Sequence, residues 1–453
     1  MIKEVKWKSY AALGDVVLDF TKPDGGIYNT IILAGENGCG KTTVLSSLST
    51  FLNLGSIEPF DYIRYFTNDN SFKIVINEEA SKTNPNWNPL GFHKRINEST
   101  NEILSVTSSR GHSQELIESD LNDIRHYGCV YSKARSGFNT KKVQSTTVMQ
   151  IDSDRYDDDD NEDFTAIKQL LIDIDSQDNS EWMNITRLGT GESFESFQER
   201  AKLARFQNAF NNFFEDIKFE KVKTDDPNEK KIIFRKYGNE IDIDHMSTGE
   251  KQIVFRGTHL LRNSKNLLDG IVLIDEPELS MHPKWQGKVL SFYRNLFTAN
   301  GEQKTQMIFA THSEYVIKSA LQEKEDVLVI VLKNENGSIV PIRITAPTAL
   351  PSISFAEVNY NAFGVASTDY HIQLYGYLQA KQNRTSIKSC DDFIVQDPNF
   401  NPAMHSKISS FNGTSYQTLP TYIRNAIDHP DSGNTFTEEE LKTSIELLVQ
   451  LCT

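Results

Sequence analysis

The stretch Gly35-Glu-Asn37-Gly38-Cys-Gly40-Lys41-Thr42-Thr43 has the composition of a polyphosphate cradle. Glycines let the main chain curl so that successive N–H groups converge on anionic oxygens at a helix start. Lys41 has the reach for β/γ phosphate oxygens, and the Thr42 hydroxyl suits Mg²⁺. A second chemistry-bearing stretch is Ile271-Val-Leu-Ile-Asp275-Glu276-Pro277. An aliphatic run ending in two acids puts carboxylates at the C-terminal edge of a sheet, where ligands bind in such folds. Asp275 would hold Mg²⁺ directly or through water, and Glu276 would position the attacking water as general base. Phe309-Ala-Thr-His312-Ser closes a third apolar run, which places His312 beside Asp275 as a γ-phosphate contact. Cys39 reads as a small filler in the loop.

Ser247-Thr-Gly249-Glu250-Lys-Gln252 adds a second anion-binding helix start. Two such helix ends with one acid pair make sense if two copies of the chain face each other, each covering the other's nucleotide.

The elements that must hold these residues are legible around them. Val5, Trp7, Val16, Leu18 and Phe20 alternate as two short strands do, and a turn cluster, TKPDGG, follows. Thr30–Ala34 is a continuous apolar run of the kind found in a buried strand. Val44, Leu45, Leu48, Phe51 and Leu52 recur at helical spacing after the glycine loop, giving the strand–loop–helix context that a phosphate cradle requires. Strands are expected at 218–222, 232–236, 241–243, 270–274, 307–310 and 327–332, and a helix over 252–261. The alternation predicts an α/β core with a largely parallel sheet. Residues from about 60 to 215 are polar and rich in Asn and Ser. The acid run from Asp152 to Asp163 reads as a solvated loop, since it lacks the glycine and glutamate of a calcium-binding loop. An apolar stripe over 193–217, from Phe194 to Phe214, reads as a core-facing helix. No heptad pattern is sustained, so no long coiled-coil arm is expected.

Composition bounds the function classes. A chain of 453 residues is long enough for two or three domains. Its formal charge of −15 argues against a surface that is basic all over, although a local basic groove stays compatible with it. The four cysteines are scattered without CxxC or CxxH spacing, which fits reduced thiols in the cytoplasm and neither a disulfide framework nor a zinc site. The N-terminus lacks the apolar segment of a signal peptide, and no run approaches a membrane span.

Taken in order, GENGCGKTT, STGEKQ, IVLIDEP and ATHS resemble the Walker A, signature, Walker B and switch-histidine motifs of ABC-type ATPases. The resemblance covers 1–60 and 215–345 and implies an ABC-type P-loop head with an inserted, mainly helical lobe at 61–214. It implies a homodimer or higher homo-oligomer with ATP and Mg²⁺ between Walker A of one copy and the signature of the other. The catalytic set is then Glu276, His312 and Lys41. The nucleotide-binding set is Gly35, Asn37, Gly38, Gly40, Lys41, Thr42 and Thr43, with Ser247, Gly249 and Glu250 contributed across the dimer, and the metal set is Thr42 and Asp275. Glu278-Leu-Ser-Met-His282-Pro283 departs from the transporter pattern, placing His282 where an aspartate is usual. It is similar to the soluble branch containing overcoming-lysogenization-defect nucleases and recombination-repair ATPases.

The remaining 346–453 reads as a mainly helical, partner-binding C-terminal domain. Thr437 and Glu440 form a capping box, and Leu441, Ile445, Leu448 and Leu451 mark an apolar helix face. Arg424-Asn425-Ala-Ile-Asp-His429 resembles the Arg/His element of HEPN-type ribonucleases, with His as acid/base and Arg steadying phosphorane charge. The same cluster can equally pin a helix-to-loop corner. No Toprim-type acidic motif follows residue 345. The head, residues 354–382 and the RNAIDHP ending together resemble the ATPase subunits of Septu-type anti-phage systems, which implies a separate HNH-type nuclease partner. A ribonuclease acting through Arg424 and His429, or a DNA-repair type ATPase that binds nucleic acid, are the rival expectations.

Overall fold

A computed structural model describes residues 1–79, 92–106, 120–126, 128–134, 140–147, 149, 151, 164–189, 191–226, 229–262, 270–299, 302–303, 305–323, 325–344, 349–411 and 413–453. The acid run 152–163 lies outside them. The chain forms two compact units, Met1–Ser319 with Glu325–Ile342, and Ala320–Lys324 with Arg343–Thr453.

The first unit opens with β1 (Ile2–Trp7), β2 (Val17–Asp19), β3 (Thr30–Ala34) and α1 (Lys41–Leu52). Strands β4 (Phe60–Thr67), β5 (Asn70–Ile76), β6 (His93–Asn97), β7 (Ile103–Val106) and β8 (Cys129–Ser132) follow. Helices α2 (Phe164–Leu188), α3 (Phe194–Arg200) and α4 (Lys202–Phe213) lead to β9 (Ile217–Asp226), β10 (Glu229–Lys236) and β11 (Asn239–Asp242). Next are α5 (Thr248–Leu261), β12 (Ile271–Asp275), α6 (Pro283–Leu296) and the short strands β13 (Thr298–Ala299) and β14 (Glu302–Gln303). The unit ends with β15 (Gln306–Ala310), α7 (Glu314–Gln322), β16 (Val327–Glu335) and β17 (Ser338–Ile344).

Strand order in the central sheet is β17-β16-β3-β15-β12-β8, and β16, β3, β15, β12 and β8 run parallel. The fold is therefore α/β, with β3, β12 and β15 delivering their C-terminal ends side by side. All three are buried along their whole length, as strands covered on both faces are. A second sheet, β2-β1-β4-β5-β6-β7, is antiparallel. Helix α1 lies in the core between the two. Val44, Leu45, Leu48 and Phe51 share one buried cluster with Ile31 and Leu33 of the parallel sheet and with Val5, Trp7 and Ile63 of the antiparallel one. The Trp7 indole N–H donates to Ser47 Oγ at 3.0 Å, so the one polar atom of that ring is satisfied. The helix that opens at the phosphate loop is thereby held on both sides.

Two expectations for 61–214 need correction. Its first part is not helical: β4 to β7 extend the antiparallel sheet that β1 begins. Alternation along β4 is broken because the β1–β4 register shifts twice, between Ile2 and Glu4 and between Lys6 and Trp7. Moreover β8, at 129–132, pairs with β12 as a strand of the central sheet, so the head draws on this region too. Four residues in polar surroundings are too short a run to register as a buried strand. The 193–217 stripe is two helices, broken at Ala201, whose extended ψ of 144° ends α3. Phe197, Phe210, Phe213 and Phe214 are buried and Phe194 is exposed.

The second unit contains α8 (Phe355–Phe363), α9 (Thr368–Lys381), α10 (Ile387–Gln396), α11 (Pro402–His405), α12 (Leu419–Asp428) and α13 (Glu438–Cys452). Strands β18 (Ser406–Phe411) and β19 (Thr414–Thr418) form a hairpin among them. The Thr437/Glu440 capping box is formed, and Leu441, Ile445, Leu448 and Leu451 are buried with Tyr370, Leu374 and Leu378 of α9. Among the described residues no helix is long and apolar enough to cross a membrane.

Each unit buries a histidine in its core. His93 sits edge-on to Phe51 with neither ring nitrogen hydrogen-bonded among the described residues, and His371 Nε2 lies 2.9 Å from Ser444 Oγ. Burial lowers both to about 3, and the Arg125 guanidinium adds to the effect at His93. Below the ordinary value near 6.5 the unfolded chain takes up protons that the folded chain refuses, so acid destabilises the fold by about 1.4 kcal/mol per pH unit per histidine. The urea midpoint is expected to fall between pH 7 and pH 5, and His371→Gln to lessen that fall for the second unit's transition. An unchanged slope in His371→Gln would contradict this assignment.

Candidate nucleotide site

The cradle is built by the turn between β3 and α1. Gly35 has φ +136°, and a Cβ there would stand 2.4 Å from the Leu332 carbonyl oxygen of β16, so only glycine fits. Lys41 is 7% exposed, and its Nζ donates to the carbonyls of Gly35 at 2.7 Å and Glu36 at 2.8 Å. The ammonium is therefore curled into the loop before any phosphate arrives. Cys39 is buried and donates its thiol to the Glu36 carbonyl at 2.8 Å, which tightens the same turn. Glu36, Asn37 and Gly38 are exposed at its crest, while Thr42 and Thr43 begin the helix.

The acid strand meets the cradle through one hydrogen bond. Thr42 Oγ1 donates to Asp275 Oδ2 at 2.8 Å across 233 positions of sequence. Burial raises the Asp275 pKa, and the Thr42 hydroxyl partly offsets it. A hydroxyl and a buried carboxylate in contact make a donor set that fits Mg²⁺, which takes one or two protein oxygens and completes its shell from phosphates and water. Glu276 follows with φ +44°, a left-handed conformation that costs a non-glycine residue about 1–3 kcal/mol. Its amide donates to the Ala310 carbonyl at 2.8 Å, anchoring it to β15. His312, at the end of β15, puts Nδ1 3.4 Å from Glu276 Oε1 and 3.8 Å from Glu278 Oε1.

Glu278 is a participant to which its sequence position assigned no role. It is 3% exposed, accepts from Thr311 Oγ1 at 2.6 Å and from the His312 amide at 3.3 Å, and its Oε2 is buried with no hydrogen-bond partner among the described residues. Burial raises its pKa against the pull of the Thr311 bond. The carboxylate thus fixes the turn on which His312 stands.

At the start of α5, Ser247 and Thr248 are exposed and Gly249 is buried. Ser247 Oγ accepts from the Glu250 amide at 3.4 Å, and Glu250 Oε2 accepts from the Ser247 amide at 2.8 Å, closing a capping box. Glu250 Oε1 pairs with Lys236 at 2.6 Å. Both its oxygens are committed within the chain, so Glu250 serves the helix cap rather than standing open to a ligand. His282 caps α6, its Nδ1 accepting from the Lys284 amide at 3.2 Å.

In the second unit Arg424 pairs with Asp428 at 2.6 Å and donates to Asn425 Oδ1 at 3.0 Å. His429 follows at the C-cap of the same helix. These contacts tie the Arg424 guanidinium to its own helix end.

Sequence comparison matches residues 31–318, more than half of the chain, to the family described as AAA domain, putative AbiEii toxin, Type IV TA system. A Retron Vc95 probable ATPase of Vibrio cholerae serotype O1 biovar El Tor is 24% identical over 389 residues, covering 71% of this chain and 72% of that protein. Septu protein PtuA of Bacillus thuringiensis is 24% identical over 361 residues, covering 74% of this chain and 79% of that protein. Solved structures with similarity include an SmcHead bound to the C-winged helix domain of ScpA, at TM-score 0.40 and 14% identity over 76% of this chain and 98% of that one. Another is an SMC head domain from Thermotoga maritima, at TM-score 0.39 and 12% identity over 76% and 99%.

Proposed function

The chain belongs to the AAA-domain family described as putative AbiEii toxin, Type IV TA system, and on that footing we propose that it is an ABC-type ATPase whose copies close head to tail around ATP and Mg²⁺. We further propose that its nucleotide state governs a separate HNH-type nuclease in bacterial defence against phage, within the cytoplasm. The observation that carries the ATPase reading is the Thr42–Asp275 hydrogen bond, which joins cradle and acid strand with the Glu276–His312 pair alongside. Likeness to Septu protein PtuA supports the defence role, and four free, buried thiols suit a reducing compartment.

The contacts within the site support the following roles. Amides of 35–43 cradle the phosphates, and Lys41 turns from its two loop carbonyls to the β/γ oxygens. Thr42 and Asp275 would hold Mg²⁺, which when bound would supply positive charge to the phosphoryl oxygens. Glu276 orients a water and takes its proton, while His312, braced by Glu278, contacts the γ-phosphate. The fourth wall is the Ser247–Gly249 helix start of a second copy.

Ser247→Arg tests that wall. The substitution is expected to leave the dissociation constant for ATP on isolated protomers within about threefold, while ATP-dependent dimerisation is lost and kcat falls by ~10²-fold. Wild-type turnover in Ser247→Arg would overturn the shared site. For the partner, the genes beside this one are searched for an HNH-bearing open reading frame, whose absence would count against the nuclease part, and the one found is co-expressed with the tagged chain. Co-purification that changes with ATP is the expected result, and no association in either nucleotide state would overturn the nuclease part.

A further inference from the structure

Three residues on one face of α5, at positions i, i+3 and i+7, touch consecutive parts of the segment that carries the acids. Gly249 lies so close to the Ser280 carbonyl that a Cβ on it would stand 2.7 Å from that oxygen. Gln252, fully buried, donates from Nε2 to the Pro277 carbonyl at 3.2 Å. Arg256 then donates to the carbonyls of Asp275 at 2.6 Å and Glu276 at 2.9 Å. Its remaining donors reach β8 and the residue beyond, bonding Ser132 Oγ at 2.7 Å, the Ser132 carbonyl at 2.9 Å and the Lys133 carbonyl at 3.3 Å.

Arg256 is 3% exposed, and among the described residues no carboxylate forms an ion pair with it. A buried guanidinium satisfied by four main-chain carbonyls and the Ser132 hydroxyl, with no carboxylate to offset its charge among the described residues, is an expensive device for mere packing. What it holds is the peptide at which the backbone is strained. Glu276 keeps its φ of +44° because its N–H is bound by Ala310 on one side and its C=O by Arg256 on the other. Releasing the carbonyl lets the turn relax towards ordinary φ and swings the carboxylate away from His312.

We propose that Arg256 is a positioning residue for hydrolysis: its fork on the Asp275 and Glu276 carbonyls sets the general base and ties that setting to the helix whose tip is Ser247–Gly249. This rests on the reading of Glu276 as base. No Arg256 donor bonds to the 35–43 loop, and its bond to Asp275 is to the main-chain carbonyl and not to the carboxylate that faces Thr42, so nucleotide binding is expected to be less affected than the setting of the base.

The test is a cycle of Arg256→Lys and Glu276→Gln in the full chain, with kcat, KM and the ATP-induced shift in thermal midpoint measured for each. Arg256→Lys keeps the charge but loses the planar fork. Its kcat is expected to fall by ~10²-fold, the scale of an ångström-sized misplacement, with KM changed by less than about threefold and the ATP-induced shift kept. Added to Glu276→Gln, it is expected to cause no further loss, because it acts through the same carboxylate. Arg256→Lys at wild-type kcat, an independent further loss in the double variant, or loss of ATP binding together with kcat would each overturn the proposal. Glu276→Gln turning over at the wild-type rate would instead refute the base assignment on which the proposal rests.

Discussion

Lys41→Ala is expected to weaken ATP binding by ~10²–10³-fold, the largest effect on nucleotide affinity of the substitutions considered. The ammonium is nine-tenths buried in the loop and already faces two carbonyls, so its charge is aimed before ATP binds and little ordering is left to do. A buried, hydrogen-bonded charge pair is worth about 2–5 kcal/mol on truncation. Lys41→Arg is expected to fail similarly, since the cup formed by Gly35 and Glu36 fits a compact ammonium and not a planar fork. Titration with a fluorescent ATP analogue checks both. Binding within threefold of wild type in Lys41→Ala would show that phosphates are held elsewhere.

Glu276→Gln is the counterpart, separating hydrolysis from binding. Glutamine preserves shape and the contacts of the Glu276 main chain, so the strained turn and the His312 neighbour stay in place. What is lost is the ability to accept a proton, and general-base removal lowers turnover by ~10²–10⁴-fold. The variant is expected to bind ATP with wild-type affinity and accumulate the bound state. Phosphate-release assays under saturating ATP, with binding measured in parallel, check this. Equal turnover in the variant and wild type would remove Glu276 from the mechanism.

The chemistry-bearing residues were legible because each is a local pattern with a physical cause. The glycine loop must curl, and the aliphatic run of β12 must be buried before its two acids reach the sheet edge. Those patterns put Lys41 and Thr42 at a helix start and Asp275, Glu276 and His312 at or just past strand ends on one edge of the sheet, and the structure brings Thr42 to Asp275 and His312 to Glu276 there. Arg256 was not legible, because its partners are main-chain carbonyls and one serine hydroxyl from two segments far apart in sequence, and spacing carries no trace of them. Glu250 was open to reading, since Ser247-x-x-Glu250 is the same capping pattern recognised at Thr437 and Glu440. The anion-binding interpretation of the helix start overshadowed it. Strand β4 escaped because the bulged register between β1 and β4 breaks the alternation by which a half-buried strand is recognised; β5 to β7 pair without such shifts, and their short runs are lost within a segment read by its polar composition.

The claim on which the mechanism depends is that a single chain lacks one wall of its own site. Light scattering on Glu276→Gln, with and without ATP·Mg²⁺, measures it most directly. The account predicts 51.5 kDa without nucleotide and twice that mass with it, the increase being lost in Ser247→Arg. A protomer that stays at its monomer mass while saturated with ATP, and hydrolyses it at the wild-type rate once Glu276 is restored, would contradict it.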